Sequence, residues 1–457
     1  MNIRMMDIAW RRTLLGNHRH SRPITRAFVE NLEGAEKGRM MRTDLLMRKL
    51  ILHICTVIVF SLTVCVSQIE AAPRYPVVLI PGDGGSQLVA KLNKTSAPHF
   101  ICRKYTKDYE SIWINLEELL PQVIDCFVDN MRLVYDKVTR TTSNSPGVDI
   151  RTVEFGGTSS VEWLDPSKPS HYLPFLSYFY SIVNDLTAFG YIRGVSVRGA
   201  PFDFRKAPNE LSDYYKDLKN MIEDTYTKNN NSKVVAIAHS MGNPVFLYFL
   251  NQQPQEWKDK YIQSMIALAG VWGGAVKPLR LMASGDSLGV SVVVPLKVRP
   301  EQRSMPSTAF LMPSDKFWKP SEVLVRTESK NYTVADYKEF FSDLNFTDGY
   351  EMRKDTEMLI RDLQPPGVVV HCLHGTGVDT PETLVYGKGQ FPDTYPDVMY
   401  GDGDGTVNIR SLLGCLQWQN KQQPPVHHVP IPNAEHMAIL QDTTVSKYIA
   451  SVVTGQL

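Results

Sequence analysis

A serine flanked by small residues, Ala238-His239-Ser240-Met241-Gly242, sits between two apolar runs. A serine hydroxyl becomes an effective nucleophile when a base takes its proton and a third group orients that base. Candidates follow in the chain: Asp404 within Gly401-Asp402-Gly403-Asp404-Gly405-Thr406-Val407, and His436 within Asn433-Ala434-Glu435-His436-Met437. Upstream, Pro81-Gly82-Asp83-Gly84-Gly85-Ser86 is a glycine-rich loop. The backbone N–H groups of Asp83 and Met241 are the expected donors to the oxyanion that forms when a carbonyl is attacked. Asp402 competes with Asp404, and His371, His374, His427 and His428 compete with His436; the residues alone leave these choices open. The Asp-Gly-Asp-Gly run also suggests a calcium loop, but the glycine and bidentate glutamate positions of an EF-hand are not met. Neither a metal nor a cofactor is expected.

These residues need a frame that brings distant loops together. Residues 234–238 are β-branched and apolar, as in a strand covered on both faces, and residues 243–250 read as a buried helix with Pro244 in its first turn. A tight strand-to-helix turn between them would lift the Ser240 hydroxyl clear of the sheet, which the small neighbours permit. Further strands are expected at 77–80 and 261–269, a strand and turn within 194–205, and a strand followed by a glycine-rich turn within 367–377, with a charged helical stretch at 210–228. This β–α–β–α rhythm predicts the α/β class: an α/β-hydrolase fold, mostly parallel sheet with helices on both faces. From about 276 to 349 the rhythm fails, and an inserted cap is expected there. Residues 102–126 would form a disulfide-closed lid loop. Its Ile112, Trp113 and Ile114 would either touch a membrane, since Trp favours the water–lipid boundary, or belong to the core.

Among 457 residues the net charge is +1, with no P-loop, dinucleotide fingerprint or basic stripe, so a nucleic-acid partner is not expected. Residues 1–49 are rich in Lys and Arg and read as a disordered basic extension. Residues 50–66 carry no charge, and Ala71-Ala72 follow, so 50–72 is laid out as a signal peptide, with an uncleaved signal anchor or a later initiating Met as alternatives. Residues 73–457 are then one catalytic domain. Cys55 and Cys65 would leave with the signal, and Cys102, Cys126, Cys372 and Cys415 remain for two disulfides with three possible connectivities. Sequential pairing, which closes two local loops, is expected. Glycosylation sequons at Asn93, Asn230, Asn331 and Asn345 fit the same secretory route.

The set Pro81-Gly-Asp, Gln87-Leu, Ile112-Trp-Ile-Asn-Leu, Arg198-Gly-Ala-Pro-Phe-Asp, Ala238-His-Ser-Met-Gly-Asn, Trp272-Gly-Gly, Ala283-Ser-Gly-Asp and Gly401-Asp-Gly-Asp-Gly-Thr-Val resembles the lecithin:cholesterol acyltransferase family, in order and across nearly all of the chain from residue 76. The resemblance implies a catalytic triad of Ser240, Asp404 and His436, with the family's own interval of 32 residues between the last two favouring Asp404 over Asp402. It implies the Asp83 and Met241 oxyanion hole and the disulfides Cys102–Cys126 and Cys372–Cys415. Asp83 and Asn243 stand where the plasma branch of the family has cysteines, which points to the lysosomal branch. Gly84, Ser86, Gly270 and Val271 depart from the family pattern and bear on pocket shape. The implied function is a serine phospholipase A and O-acyltransferase, passing an acyl group through an acyl-enzyme to water or to a lipid alcohol acceptor such as N-acyl sphingosine. Its expected partners are a phospholipid membrane surface or lipoprotein lipid. The chain is expected to be monomeric, in the lysosome lumen or secreted. The alternatives are a secreted sterol acyltransferase working at neutral pH and a catalytically silent lipid-binding protein. Because a histidine beside a carboxylate is a poor base in acid, an acid-active enzyme needs compensation, and a protonated Asp83 is the expected source.

Overall fold

The computed structural model describes residues 52–54, 56, 74–166, 176–287, 289–290 and 293–457. The expected basic extension lies outside the described residues, as does the signal segment apart from 52–54 and 56, which are helical. Residues 72–457 form a compact unit of their own, to which the following description is confined.

Six strands make its central sheet: β1 Val77–Ile80, β2 Val197–Gly199, β3 Val234–His239, β4 Ile262–Leu268, β5 Val369–Thr376 and β6 Val426–Pro432. Their spatial order is β6-β5-β4-β3-β1-β2, and every neighbouring pair is parallel. All residues of β1 and β3 are buried, which is why both read as unbroken apolar runs rather than alternating ones. Helix α1, Ser212–Lys228, precedes β3 and buries Tyr214, Leu218, Met221 and Ile222 along one face. Helix α2, Gly242–Asn251, leaves the end of β3 and buries all its residues except Tyr248 and Asn251. Register aligns the carboxyl ends that matter, pairing Ile80 with Ala238, His239 with Leu268, and Leu268 with Leu373. In such sheets the loops beyond those ends gather the chemistry.

Two features differ from the pattern read in the sequence. Tyr261 closes a helix, Gln255–Tyr261, and the strand begins only at Ile262. The chain also leaves the sheet after β5: strands Thr380–Val385 and Asp397–Gly401 form an antiparallel hairpin before Asp404 is reached. That hairpin joins Val325–Arg326 and Asn331–Tyr332 in a four-stranded sheet, so the 276–349 stretch contributes strands as well as helices. A second apolar cluster holds this region together, with Trp318, Phe340 and Phe341 packed with Leu384 and Tyr386. Strands only two residues long show no period, which hid them in the sequence. A three-stranded antiparallel sheet, Glu110–Trp113, Leu88–Leu92 and Val148–Thr152, flanks the first loop.

Disulfides join Cys102 to Cys126 and Cys372 to Cys415. Asn93, Asn230, Asn331 and Asn345 are all exposed. Among the described residues no helix is long and apolar enough to cross a membrane, and no cluster of three His, Cys, Asp or Glu could hold a metal ion.

Candidate active site

Ser240 occupies the turn between β3 and α2 with φ +54°, the left-handed conformation that a non-glycine residue adopts only at a local cost. Its surroundings over-determine that conformation. The Ser240 N–H donates to Leu268 O at 3.0 Å, and the Asn243 side chain donates to the carbonyls of both Ser240 and Leu268, at 3.1 and 2.9 Å. A Cβ at Gly242 would lie 2.3 Å from Pro81 O, so β1 can approach the elbow only because that position is glycine. Gly82 is constrained in the same way by the Ser240 Cβ. The glycine-rich loop and the elbow are therefore packed against one another.

His436 Nε2 lies 2.9 Å from Ser240 Oγ, and its Nδ1 lies 2.7 Å from Asp404 Oδ2. The other Asp404 oxygen accepts from the N–H groups of Val407 and Thr406 at 2.8 and 3.1 Å, and the His436 N–H donates to Asp404 O at 2.8 Å. Burial works against the Asp404 charge, but the adjacent His436 and these donors outweigh it and hold the carboxyl below its usual range. Asp404 stays ionised, able to orient a histidine and to stabilise an imidazolium.

The competing residues are engaged elsewhere. Asp402 accepts from Gly377 N–H at 2.7 Å. His371 stacks on His427 and meets the Tyr448 hydroxyl, while His374 Nε2 is 2.9 Å from His428 Nε2. His239, inside the elbow, is fully buried, and burial together with nearby His436 lowers its pKa to about 3. It is neutral, with a tautomer dictated by its partners. Its Nε2–H donates to the His436 carbonyl at 2.9 Å, so its Nδ1 accepts from the Tyr178 hydroxyl at 2.5 Å, whose oxygen in turn accepts from Gly82 N–H at 2.8 Å. Tyr178 gave no signal in the sequence beyond being one aromatic in an apolar stretch.

Ser240 and His436 open on a cavity of about 340 Å³. Trp113, Ile114, Leu164, Phe204, Met305 and Leu311 give it a largely apolar wall, with Asp83, Lys277 and Glu301 among its polar members. The Asp83 side chain is accessible from the cavity, yet the protein walls around it desolvate its charge. That raises its pKa to about 6, against the opposing pull of Lys277 and of the Gly84 N–H. Surrounding protein rather than accessible area sets this desolvation. Met241 follows Ser240 directly and is fully buried at the amino end of α2.

Of the two placements open for Ile112, Trp113 and Ile114, the structure has the buried one and not the membrane-touching one: these residues are only 2, 8 and 6 % exposed. Trp113 packs on Phe204 and Phe127, and its indole N–H donates to Gly84 O at 2.8 Å, which ties the glycine-rich loop down from the cavity side. A Trp that can bury its ring and satisfy its N–H does so in preference to facing water. The exposed apolar side chains of this region are instead Phe100, Ile101, Tyr105 and Leu120. Phe100 and Ile101 are adjacent, but a pair is too short to stand out as an apolar run, and Tyr105 and Leu120 lie apart from it.

A parallel sheet with an elbow serine, a histidine and a buried carboxylate converging beyond its carboxyl ends defines an α/β hydrolase. A chain of the Tle4–Tli4 complex matches this fold with a TM-score of 0.51 at 12% identity, covering 83% of the present chain and 98% of its own. The lecithin:cholesterol acyltransferase model matches residues 109–443, and the chain belongs to that family. It is 49% identical over 387 residues to a human lysosomal phospholipase A and acyltransferase, covering 85% of this chain and 92% of the relative. It is 44% identical over 363 residues to a chicken phosphatidylcholine-sterol acyltransferase, covering 79% and 86%.

Proposed function

We propose that the protein is a serine phospholipase A and O-acyltransferase working in the lumen of an acidic compartment of the secretory pathway. His436, oriented by Asp404, takes the Ser240 proton as Oγ attacks the ester carbonyl of a glycerophospholipid. The backbone N–H groups of Asp83 and Met241 hold the oxyanion. Collapse of the tetrahedral intermediate, with the proton returned from His436, expels the lysolipid and leaves an acyl-enzyme. Water or a lipid alcohol, deprotonated by the same histidine, then resolves it. The observation that supports this reading best is the hydrogen-bonded Ser240–His436–Asp404 series opening on a largely apolar cavity. Such a cavity suits an acyl chain and restricts water, which an alcohol at low concentration must outcompete.

The test measures fatty-acid release and N-acyl-sphingosine acylation from phosphatidylcholine liposomes at acid and neutral pH, for wild type and Ser240→Ala, with fluorophosphonate labelling alongside. Activity in acid that disappears with Ser240 supports the proposal. Activity chiefly at neutral pH with sterol as acceptor would move the assignment to a sterol acyltransferase. No activity and no label would leave a silent lipid-binding protein.

A further inference from the structure

Helix α3, Pro295–Ser304, carries a carboxyl that the steps above do not use. Glu301 is 2% exposed and lines the same cavity as Ser240. Its carboxyl makes no hydrogen bond or ion pair among the described residues. The nearby cation, Arg205, is already committed to Asp203, Asn144 and the Met131 carbonyl. Neighbouring Gln302 spends both ends of its amide on the Asp286 backbone, at 2.9 and 2.8 Å. Thr308, 5% exposed and on the same cavity wall, also has a hydroxyl without a hydrogen bond among the described residues.

A buried carboxyl without a partner is costly, so its partner should come from what enters the cavity. Burial pushes Glu301 up to about 8, with Arg205 pulling it down and the Asp83 charge pushing it further up, so in acid it is a neutral group that both donates and accepts. A phosphate anion is a poor match for a carboxyl, and an acyl chain offers nothing to bond. A neutral alcohol with a second hydroxyl or an amide beside its reacting hydroxyl offers both a donor and an acceptor.

We propose that Glu301, with Thr308, forms a polar subsite that binds the second hydroxyl or amide of a neutral lipid alcohol acceptor and so selects such acceptors over simple alcohols. The inference rests on the acyl-transfer reading above. Its test is competition between N-acyl sphingosine and hexadecanol for the acyl group of phosphatidylcholine, in wild type, Glu301→Leu, Glu301→Gln and Thr308→Val, with fatty-acid release measured in the same reactions. Glu301→Leu should lower the preference for N-acyl sphingosine by about ten-fold while leaving fatty-acid release within a few-fold, because a site built to bond a polar group discriminates through that bond. Glu301→Gln, which keeps a donor and an acceptor, should retain most of the preference, and Thr308→Val should lose part of it. An unchanged preference in Glu301→Leu, or a parallel loss of release and transfer, overturns the subsite. If the wild type acylates neither alcohol, the acyl-transfer reading fails first and takes the subsite with it.

Discussion

Replacing Asp83 by Asn tests whether the cavity converts pH into catalytic rate. Asp83 sits in the loop whose amide is proposed to hold the oxyanion, and desolvation raises its carboxyl to about 6 despite Lys277 nearby. Below that pH the neutral acid is compatible with the developing negative oxygen, and it can donate to it. Above it, a carboxylate placed beside an oxyanion in a poorly solvated site opposes the transition state. With a pKa of about 6, about 97% of the molecules are protonated at pH 4.5 and about 4% at pH 7.4, a decline of about 25-fold in the competent form. Asn removes that titration while keeping the shape and a hydrogen-bond donor. The expected outcome is a kcat/KM profile in Asp83→Asn whose acid-to-neutral decline is smaller than that of wild type by about 25-fold, with its optimum moved towards neutral. Hydrolysis of a water-soluble ester over pH 4 to 8 separates this from any pH effect on lipid binding. A variant that keeps the wild-type profile, at whatever absolute rate, refutes the reasoning.

Asp404→Asn should lower kcat by ~10³–10⁴-fold with little change in KM, because the amide favours the wrong histidine tautomer while the pocket is unaltered. Phe100 is fully exposed, so Phe100→Ser should weaken binding to phosphatidylcholine vesicles by about ten-fold or more at the ~1.5–3 kcal/mol of a buried phenyl ring, and leave soluble-ester hydrolysis unchanged. For Glu301 the sign of the linkage runs with the proton. Its folded pKa lies above the ordinary carboxyl value of 4.5, so its contribution to stability is complete below that value and is lost as pH rises towards about 8. The Tm of Glu301→Gln should therefore gain on that of wild type between pH 5 and 8. Removing Cys372 and Cys415 together opens a link across 43 residues and should cost ~2–4 kcal/mol in urea unfolding.

The parts of the site that were legible in the sequence are those where local chemistry and element type coincide. The elbow was visible because β3 and α2 are both buried runs meeting at small residues, and neither could be read as a surface element. Strands β1, β4 and β5 were visible for the same reason, whereas the edge strand β6 is mostly exposed and offered no such run. The accessory sheet was not, since Val325–Arg326 pairs with a strand nearly sixty residues away and no local pattern reports such a contact. Trp113 illustrates a different failure. An exposed aromatic and a cavity-lining one have the same local sequence, and only the position of the Gly84 carbonyl decides which it is. Glu301 was invisible for a related reason: a charged residue in a polar helix reads as solvent-facing until packing turns it inward.

The four loops that carry the proposed chemistry follow different elements of the chain, and the buried Tyr178–His239 pair bonds to two of them. Gly82 N–H holds the Tyr178 hydroxyl, Tyr178 holds His239, and His239 holds the carbonyl of His436. His239 is itself the residue before the nucleophile. A displacement of the oxyanion loop is thereby felt at the base through two side chains, without passing through Ser240. Neutral His239 is required for this, since protonation would cost it the Nδ1 acceptor site, and burial keeps it neutral throughout the acid range in which the enzyme is proposed to work. Removing only the hydroxyl, as in Tyr178→Phe, should lower kcat for soluble ester and phospholipid alike, because the loop and the histidine lose their common support. Acceptor preference should stay as it was, because Glu301 and Thr308 lie on elements that this chain of bonds does not reach.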